Sequence, residues 1–373
     1  MWFVESIIHE APQKDCLSTA TSPSAIAWAD PARRQAFDTW LHSIAAGHAL
    51  DAPTLRAASS DASFRRYLRI DTTDGRRSCI VMDAPPPLED VRPFIHVAEL
   101  LHGAGLSAPR VLEQDVAHGF LLLSDLGSQL YLAALQDCVE RNDTARRDAL
   151  MRDATRALIQ WQTRADASTL PPYDDALLRR ELALFPDWCV TLECGVSWSD
   201  DEQRQWRDAC DALVQSALAQ PTVAVHRDYM PRNLMVLEGD ANPGILDFQD
   251  AVRGPVSYDL ACLLRDAFIS WDEELEIDWA VRYWQAARKA GLVLPDDFGE
   301  FWRQVEWMGL QRHLKVLGIF CRLKHRDAKP RYSEDLPRFF AYAHKVAARY
   351  SALRPLSRLL EPLMGAQRVE GFY

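Results

Sequence analysis

Lysine is missing from most of this chain: none occurs between Lys14 and Lys289, although arginine is frequent throughout. Basic residues are also fewer than acidic ones, 42 against 53, which leaves a formal net charge of -11. Such a charge argues against nonspecific binding to nucleic acid or to anionic membrane surfaces. If residues between Lys14 and Lys289 bind a phosphate group, the positive charge must come from arginine, whose planar guanidinium suits phosphate oxygens.

Other absences concern cysteine pairs and apolar runs. The 8 cysteines form no CxxC pair and no spacing with histidine that suits zinc. They lie mostly in apolar surroundings, which is typical of reduced cysteines in a cytoplasmic protein. No run approaches the ~20 consecutive apolar residues that span a bilayer. At the N-terminus, Glu5, His9 and Glu10 interrupt the apolar residues, and no basic leader precedes them. We expect a cytoplasmic protein without a signal peptide, without membrane insertion and without an obligate protein partner.

The order of apolar segments predicts an α+β fold of two lobes. At 373 residues the chain is long enough for both. The predicted early elements are a helix over 31–46, strands over 63–70, 78–82, 110–112 and 119–123, and a helix over 89–102. From Tyr131 onward helices dominate. We therefore predict a loosely ordered extension over 1–29, a small β-rich N-lobe over 30–123, a hinge over 124–127 and a larger, mainly helical C-lobe over 128–373.

An ordered set of polar residues stands between short apolar runs in residues 222–250. The set consists of His226, Asp228, Asn233 and Asp247. Phosphoryl transfer needs one carboxylate that takes a hydroxyl proton, and an amide and a second carboxylate that hold magnesium. The order and spacing therefore predict Asp228 as the catalytic base and Asn233 and Asp247 as the metal ligands.

The spacing His-x-Asp-x4-Asn, followed after a hairpin by Asp, resembles the catalytic and metal loops of the protein-kinase-like superfamily. Phe248 is followed by Gln249 where protein kinases have glycine. This variant resembles the aminoglycoside phosphotransferase and choline kinase family, which phosphorylates small molecules. The resemblance implies a bilobal protein-kinase-like fold with ATP and Mg²⁺ as cofactors. It also implies that His226 supports the loop through hydrogen bonds and does not act as the base.

On the nucleotide side, the usual glycine-rich loop and strand lysine are both absent. Ser60 and Ser63 could offer hydroxyl and amide donors to phosphate, or could belong to an ordinary hairpin turn. Arg65 and Arg66 are the candidates to replace the lysine, with surface arginine as the alternative for each. By analogy, Asp125 and Leu126 are expected beside adenine at the hinge.

Five further segments narrow the resemblance. They are residues 60–67, 81–85, 119–127, 181–188 and 309–320. In this order they resemble the anomeric kinases that act on N-acetylmuramate and N-acetylglucosamine in bacterial cell-wall recycling, over roughly residues 31–350. The resemblance implies ATP-dependent transfer to the C1 hydroxyl of the sugar, which yields a sugar 1-phosphate. Which of the two sugars is preferred, and which anomer, stays open.

Two segments are candidates for the acceptor site. Asp187 and Trp188 could bind sugar hydroxyls and pack against the sugar ring, or could form a helix corner with the tryptophan in the core. Arg312 and Lys315 recur on one side of a predicted helix over 305–323. They could form a cationic wall for the lactyl carboxylate of N-acetylmuramate, or a solvated helix face.

Two more acidic residues follow the metal loop. Asp250 could be a second metal or sugar contact, or a turn cap. Asp259 lies in a segment, residues 254–261, that resembles the one following the metal loop in the superfamily. That resemblance implies a structural role, with Asp259 bonding the backbone of the catalytic loop.

Two alternative functions stay open. An aminoglycoside or amino-alcohol phosphotransferase would need an acidic acceptor wall, whereas the segment that contains Arg312 and Lys315 is basic. A nucleotide-binding pseudokinase that regulates a partner would account for the missing strand lysine, but Asp228, Asn233 and Asp247 are all present.

Overall fold

The computed structural model of the chain describes residues 26, 28, 30–59 and 64–365. The predicted extension over 1–29 lies almost entirely outside these residues, as do Ser60 and Ser63. Within the described ranges, no helix combines the length and the apolar character needed to cross a lipid bilayer.

An antiparallel sheet and two helices form the N-terminal part. Its elements are α1 (Pro31–Ala45), β1 (Arg56–Ser59), β2 (Arg66–Asp71), β3 (Ser78–Asp83), α2 (Arg92–Gly103), β4 (Val111–Asp115) and β5 (Phe120–Ser124). The strand order is β1-β2-β3-β5-β4. Helix α1 begins at Pro31 because the side chain of Asp30 accepts the backbone N–H of Ala32 at 2.9 Å and proline suits the first helical position.

Both faces of this sheet are buried, which explains the continuous apolar run of β5. Phe120 and Leu122 pack with Phe37 of α1 on one face. Leu121 and Leu123 join the large core on the opposite face. Successive side chains of a strand point to opposite faces, so a strand covered on both sides is apolar at every position.

Helices dominate the remainder. The elements are α3 (Tyr131–Glu140), α4 (Thr144–Arg164), α5 (Asp175–Leu184) continued by a π-helical segment (Phe185–Glu193), α6 (Asp200–Leu218), β6 (Thr222–Val225), β7 (Leu234–Met235), β8 (Gly244–Ile245), β9 (Val252–Pro255), α7 (Tyr258–Leu264), α8 (Glu273–Lys289), α9 (Phe298–His325), α10 (Leu336–Arg349) and α11 (Arg354–Leu360). Two antiparallel ribbons, β6 with β9 and β7 with β8, carry the polar loop residues.

Short 3-10 turns connect several of these elements. They are Ala52–Thr54, Ala167–Thr169, Pro231–Asn233, Gly239–Ala241, Pro330–Asp335, Ser351–Leu353 and Glu361–Met364. The turn Pro231–Asn233 leads directly into β7, so it sets the position of Asn233.

The predicted division into a small β-rich part and a mainly helical remainder is confirmed, with local corrections. Strand β1 was not predicted, because its sequence does not alternate between apolar and polar residues. The strand predicted over 63–70 begins only at Arg66, and the helix predicted over 89–102 begins at Arg92. The lobe boundaries at 30–123, 124–127 and 128–373 stay a prediction.

Helix α9 is the central element of the helical part, and its Arg312 and Lys315 are buried, with exposed fractions of 3% and 7%. A solvated helix face, one of the two alternatives for these residues, is therefore wrong.

Gly318 of the same helix lies against the end of α5. A Cβ there would come within 2.5 Å of the carbonyl oxygen of Leu184, so glycine permits this close approach.

We predict that Gly318→Ala destabilises the protein by about 1–3 kcal/mol, because the added methyl group forces α5 away from α9. Gly309→Ala is the matched control on the same helix. Its Cβ would meet the Cβ of Ala261 at 3.6 Å, which is ordinary contact. Urea unfolding should show a lower free energy of unfolding for the first variant and an unchanged or higher one for the second. Equal stability of the two variants would contradict the packing assigned to Gly318.

Candidate active site

The loop between β6 and the turn at Pro231 is anchored by one buried carboxylate. The two side-chain oxygens of Asp259 accept the backbone N–H groups of His226 at 2.7 Å and Arg227 at 3.0 Å. Burial raises the pKa of Asp259 to about 7, although the two amide donors act in the opposite direction. Arg227 has a positive φ of 76°, an uncommon conformation for a residue with a side chain. The anchor thus fixes a loop that the backbone alone does not favour.

His226 joins this loop to the loop that carries Asp247. Its Nδ1 accepts the backbone N–H of Asp228 at 3.3 Å, so Nε2 carries the proton and donates to the carbonyl oxygen of Leu246 at 2.9 Å. Burial lowers the pKa of His226 to about 4. The imidazole is therefore neutral near pH 7, and both of its nitrogens are occupied by structural hydrogen bonds.

Asp228 presents a carboxylate that remains 39% exposed. Its Oδ1 lies 3.7 Å from Nη2 of Arg312. Desolvation raises the pKa of Asp228, but the positive charges of Lys315, Arg312 and Arg227 outweigh that effect, and the net result is a lowered pKa. The carboxylate is therefore ionised at neutral pH, which is the state that the predicted base requires.

Asn233 and Asp247 lie side by side, with Nδ2 of Asn233 at 3.5 Å from Oδ2 of Asp247. The same Nδ2 donates to the carbonyl oxygen of Asp228 at 2.9 Å, which orients the amide and leaves its oxygen for a cation. Carboxylate and amide oxygens are ligands that Mg²⁺ accepts, and Mg²⁺ in kinases is held by few protein groups together with phosphate oxygens. The pair therefore fits this cation, and the described residues contain no larger cluster of His, Cys, Asp or Glu suited to a metal.

Gln249 stands where protein kinases have glycine, and it connects two acids. Its Nε2 donates to Oδ1 of Asp247 at 2.9 Å and approaches Oδ2 of Asp250 at 3.3 Å. Asp250 itself is exposed, and its backbone carbonyl lies 3.4 Å from Nη1 of Arg227. The amide of Gln249 thus holds the orientation of the Asp247 carboxylate, while a contact of Asp250 with metal or sugar stays a prediction.

A buried carboxylate that sequence reasoning missed lies behind the loop that carries Asp228. Oε1 of Glu181 is 3.0 Å from Nζ of Lys315 and forms an ion pair with Arg227. Its Oε2 accepts the hydroxyl of Tyr173 and lies 3.3 Å from Nε2 of Gln311. Glu181 belongs to one of the segments that carry the family resemblance, which was the available signal. The geometry places Lys315 in this buried ion pair and does not support its predicted contact with an acceptor.

Arg312 lies directly behind Asp228. Its Nη1 is buried and donates to no acceptor among the described residues. Its Nη2 is 3.5 Å from the sulfur of Met230. The guanidinium therefore acts on Asp228 mainly through its charge.

The other predicted acceptor residues lie in the π-helical segment, where Asp187 is exposed and Trp188 packs partly against the core. Their sugar contact stays a prediction.

The structure separates the two arginines proposed for phosphate. Arg66 forms an ion pair with the buried carboxylate of Asp83, which Arg33 also contacts at 3.0 Å. The guanidinium of Arg66 lies 4.1 Å from the ring centre of Trp28. Arg65 instead extends toward the metal loop, with Nη2 4.0 Å from Oδ1 of Asp247.

At the predicted hinge, Asp125 is occupied by protein donors. Its carboxylate accepts Nε of Arg69 and the hydroxyl of Ser78, both at 2.6 Å, and the backbone N–H of Gly127 at 2.9 Å. The carboxylate therefore stabilises the backbone around residues 125–127, and a nucleotide contact through it is not supported by this geometry. Leu126 is half-buried and packs against Gly244. A Cβ on Gly244 would lie 2.8 Å from Cδ1 of Leu126.

Comparison with known proteins identifies the class. The model of the phosphotransferase enzyme family matches residues 54–298, well over half of the chain. The chain therefore belongs to this family. A crystal structure of an ADP-bound aminoglycoside phosphotransferase has a TM-score of 0.55 at 14% identity and covers 85% of this chain and 99% of that one. At that identity the likeness shows the fold alone, and it confirms the predicted protein-kinase-like fold.

Two curated relatives are similar over most of both chains. The N-acetylmuramate/N-acetylglucosamine kinase of Pseudomonas aeruginosa is 51% identical over 341 residues, which cover 90% of this chain and 98% of the relative. The kinase of the same name from Pseudomonas putida is 49% identical over 317 residues, which cover 85% and 90%.

We predict that His226 makes the protein less stable in acid. Its pKa falls from an ordinary 6.5 to about 4 on folding, so between these pH values the unfolded chain binds more protons and stability decreases as the pH is lowered. The loss through this window should reach about 3 kcal/mol. His226→Gln, which retains one donor and one acceptor, should lose less between pH 7.5 and pH 4.5 in urea unfolding. An identical loss in both proteins would contradict the assigned neutral state, since every other titrating group is common to them.

Proposed function

We propose that this chain is an ATP-dependent kinase that phosphorylates the anomeric C1 hydroxyl of N-acetylmuramate, N-acetylglucosamine or both, and that it works in the cytoplasm with Mg²⁺. The observation that carries the proposal is the exposed, ionised Asp228, which His226 and Asn233 tie to Asp247. The names of the two Pseudomonas relatives support these two sugars as the acceptor substrates. Unpaired cysteines throughout the described residues support a reducing compartment.

The proposed reaction is a direct in-line transfer. Asp228 orients the C1 hydroxyl and accepts its proton while the sugar oxygen bonds to the γ-phosphorus of ATP. The bond between that phosphorus and the bridging oxygen of ADP breaks, and the proton passes from Asp228 to solvent. Asn233 and Asp247 would hold Mg²⁺, which would supply positive charge against the negative charge that develops on the phosphate oxygens.

The charges around Asp228 favour a neutral or anionic acceptor over a cationic one. Arg227, Arg312 and Lys315 all lower the pKa of Asp228 and therefore create a positive potential at its carboxylate. An aminoglycoside would bring several ammonium groups into this potential, which costs Coulombic energy. N-acetylglucosamine is neutral and N-acetylmuramate carries a carboxylate, so both suit the site. The missing strand lysine remains the one observation that favours a pseudokinase, and the proximity of Asp228, Asn233 and Asp247 favours an active kinase instead.

We predict that ADP release requires both an N-acetylated sugar and Asp228. An acceptor panel of N-acetylmuramate, N-acetylglucosamine, glucose, choline and an aminoglycoside should give turnover with the two N-acetylated sugars. Asp228→Asn should reduce kcat by about 10²–10⁴ because the proton acceptor is lost. Asp240→Asn removes the same charge from an exposed turn and should behave as wild type.

The chemical form of the product separates the alternatives. Phosphorus NMR should show an alkali-stable, acid-labile sugar 1-phosphate. Turnover with choline or the aminoglycoside alone would overturn the acceptor assignment and leave the phosphotransferase class intact. Binding of ATP without turnover of any acceptor would instead favour the pseudokinase.

We also predict that Arg312→Met shifts the acid limb of the pH profile of kcat/KM to higher pH. The guanidinium lowers the pKa of Asp228, so its removal lets that pKa rise and protonates the base at a higher pH. Arg312→Lys keeps the charge and should shift the limb less. Circular dichroism on both variants tests that they fold, and an acid limb that does not move in a folded Arg312→Met would refute the electrostatic role.

A further inference from the structure

Arginines replace lysine throughout the N-terminal sheet, and most of them are held tightly by a nearby carboxylate. Arg56 makes two contacts of 2.8 Å with Asp71, and Arg69 reaches Asp125 at 2.6 Å. Arg66 is bonded directly to Asp83. Such short, often two-pronged contacts commit the guanidinium group to the protein.

Arg65 lies close to two carboxylates, one of which belongs to the predicted metal ligand Asp247. Its Nε lies 3.7 Å from Oε2 of Glu89, and its Nη2 lies 4.0 Å from Oδ1 of Asp247. Both distances exceed those of a direct hydrogen bond. The side chain is only 13% exposed, so the guanidinium lies against the protein and does not extend into solvent. Its guanidinium is positioned between Glu89 and Asp247.

The location of Arg65 follows from the strand register. Arg66, the first residue of β2, is paired with Asp83, the last residue of β3. Asp83 is buried and holds Arg33 and Arg66, so this end of β3 supplies no cation to the cleft. Arg65 lies one position before the strand, and its side chain reaches Asp247 from there.

We propose that Arg65 binds the phosphate groups of ATP and that Glu89 positions it. The inference rests on the proposed function, in which Asp247 holds the cation that ATP phosphates bind. A triphosphate beside Asp247 lies within reach of a guanidinium only 4.0 Å from that carboxylate. Kinases generally use a lysine paired with a glutamate for this purpose. In this chain the cation and its acid come from the segments before β2 and before α2.

The test is binding of ATP, ADP and adenosine by isothermal titration calorimetry, with Mg²⁺ and without acceptor. Arg65→Met should weaken ATP binding about tenfold to a hundredfold, because charge-assisted hydrogen bonds to phosphate are lost. ADP should be affected less, and adenosine should bind as to wild type. Arg65→Lys should recover part of the affinity, since lysine keeps the charge without the fork. Glu89→Gln should weaken ATP binding without affecting adenosine.

Arg92→Met is the matched control, because Arg92 is a neighbouring arginine that is largely exposed and paired with Asp90 at 2.9 Å. It removes the same charge and should leave ATP affinity unchanged. Unchanged ATP affinity in Arg65→Met, or an equal loss for adenosine and ATP, would overturn the inference. Because no sugar is present, failure of the acceptor assignment leaves this result intact. Wild-type protein that does not bind ATP would refute the proposed function itself.

Discussion

The site depends on the pair of hydrogen bonds from the amides of His226 and Arg227 to Asp259. These bonds satisfy two backbone donors in a buried region, where an unpaired amide would cost free energy. They also hold Arg227 at a positive φ of 76°. The direction in which Asp228 projects, and the reach of His226 to the metal loop, both follow from this turn. Helix α7 carries the anchor and is buried along its whole length, so the carboxylate has little freedom to move.

The loops that carry Asp228 and Asp247 behave as one unit because neutral groups connect them. His226 bonds to the backbone of Asp228 and of Leu246, and Asn233 bonds to the backbone of Asp228 beside Asp247. Neither connection changes charge near pH 7, since the pKa of His226 is lowered to about 4. The connection that His226 makes between the two loops therefore does not depend on a change in its own charge near neutral pH.

The proximity of His226, Asp228 and Asn233 could be predicted from the sequence because these residues are only a few positions apart. The carboxylates near Arg65 and Arg66 could not be predicted from the sequence. These two adjacent side chains approach different carboxylates, Asp247 and Asp83. Asp83 is the register partner of Arg66 in the sheet, while Asp247 is remote in sequence and meets Arg65 only in the folded chain. Glu181 was missed for the same reason: helix periodicity shows that a residue is buried but does not name its partner.

The two cations of α9 show why a basic stripe has no single meaning. Lys315 is buried against Glu181, and a close ion pair compensates much of its lost hydration. Arg312 is buried with Asp228 at 3.7 Å and with a buried Nη1 that has no acceptor among the described residues. Such a charge costs stability, and it lies beside a carboxylate whose pKa it helps to lower. Both charges lower the pKa of Asp228, Lys315 from within a close ion pair and Arg312 from directly beside the carboxylate, so one basic stripe contributes to packing and to the electrostatics of the site.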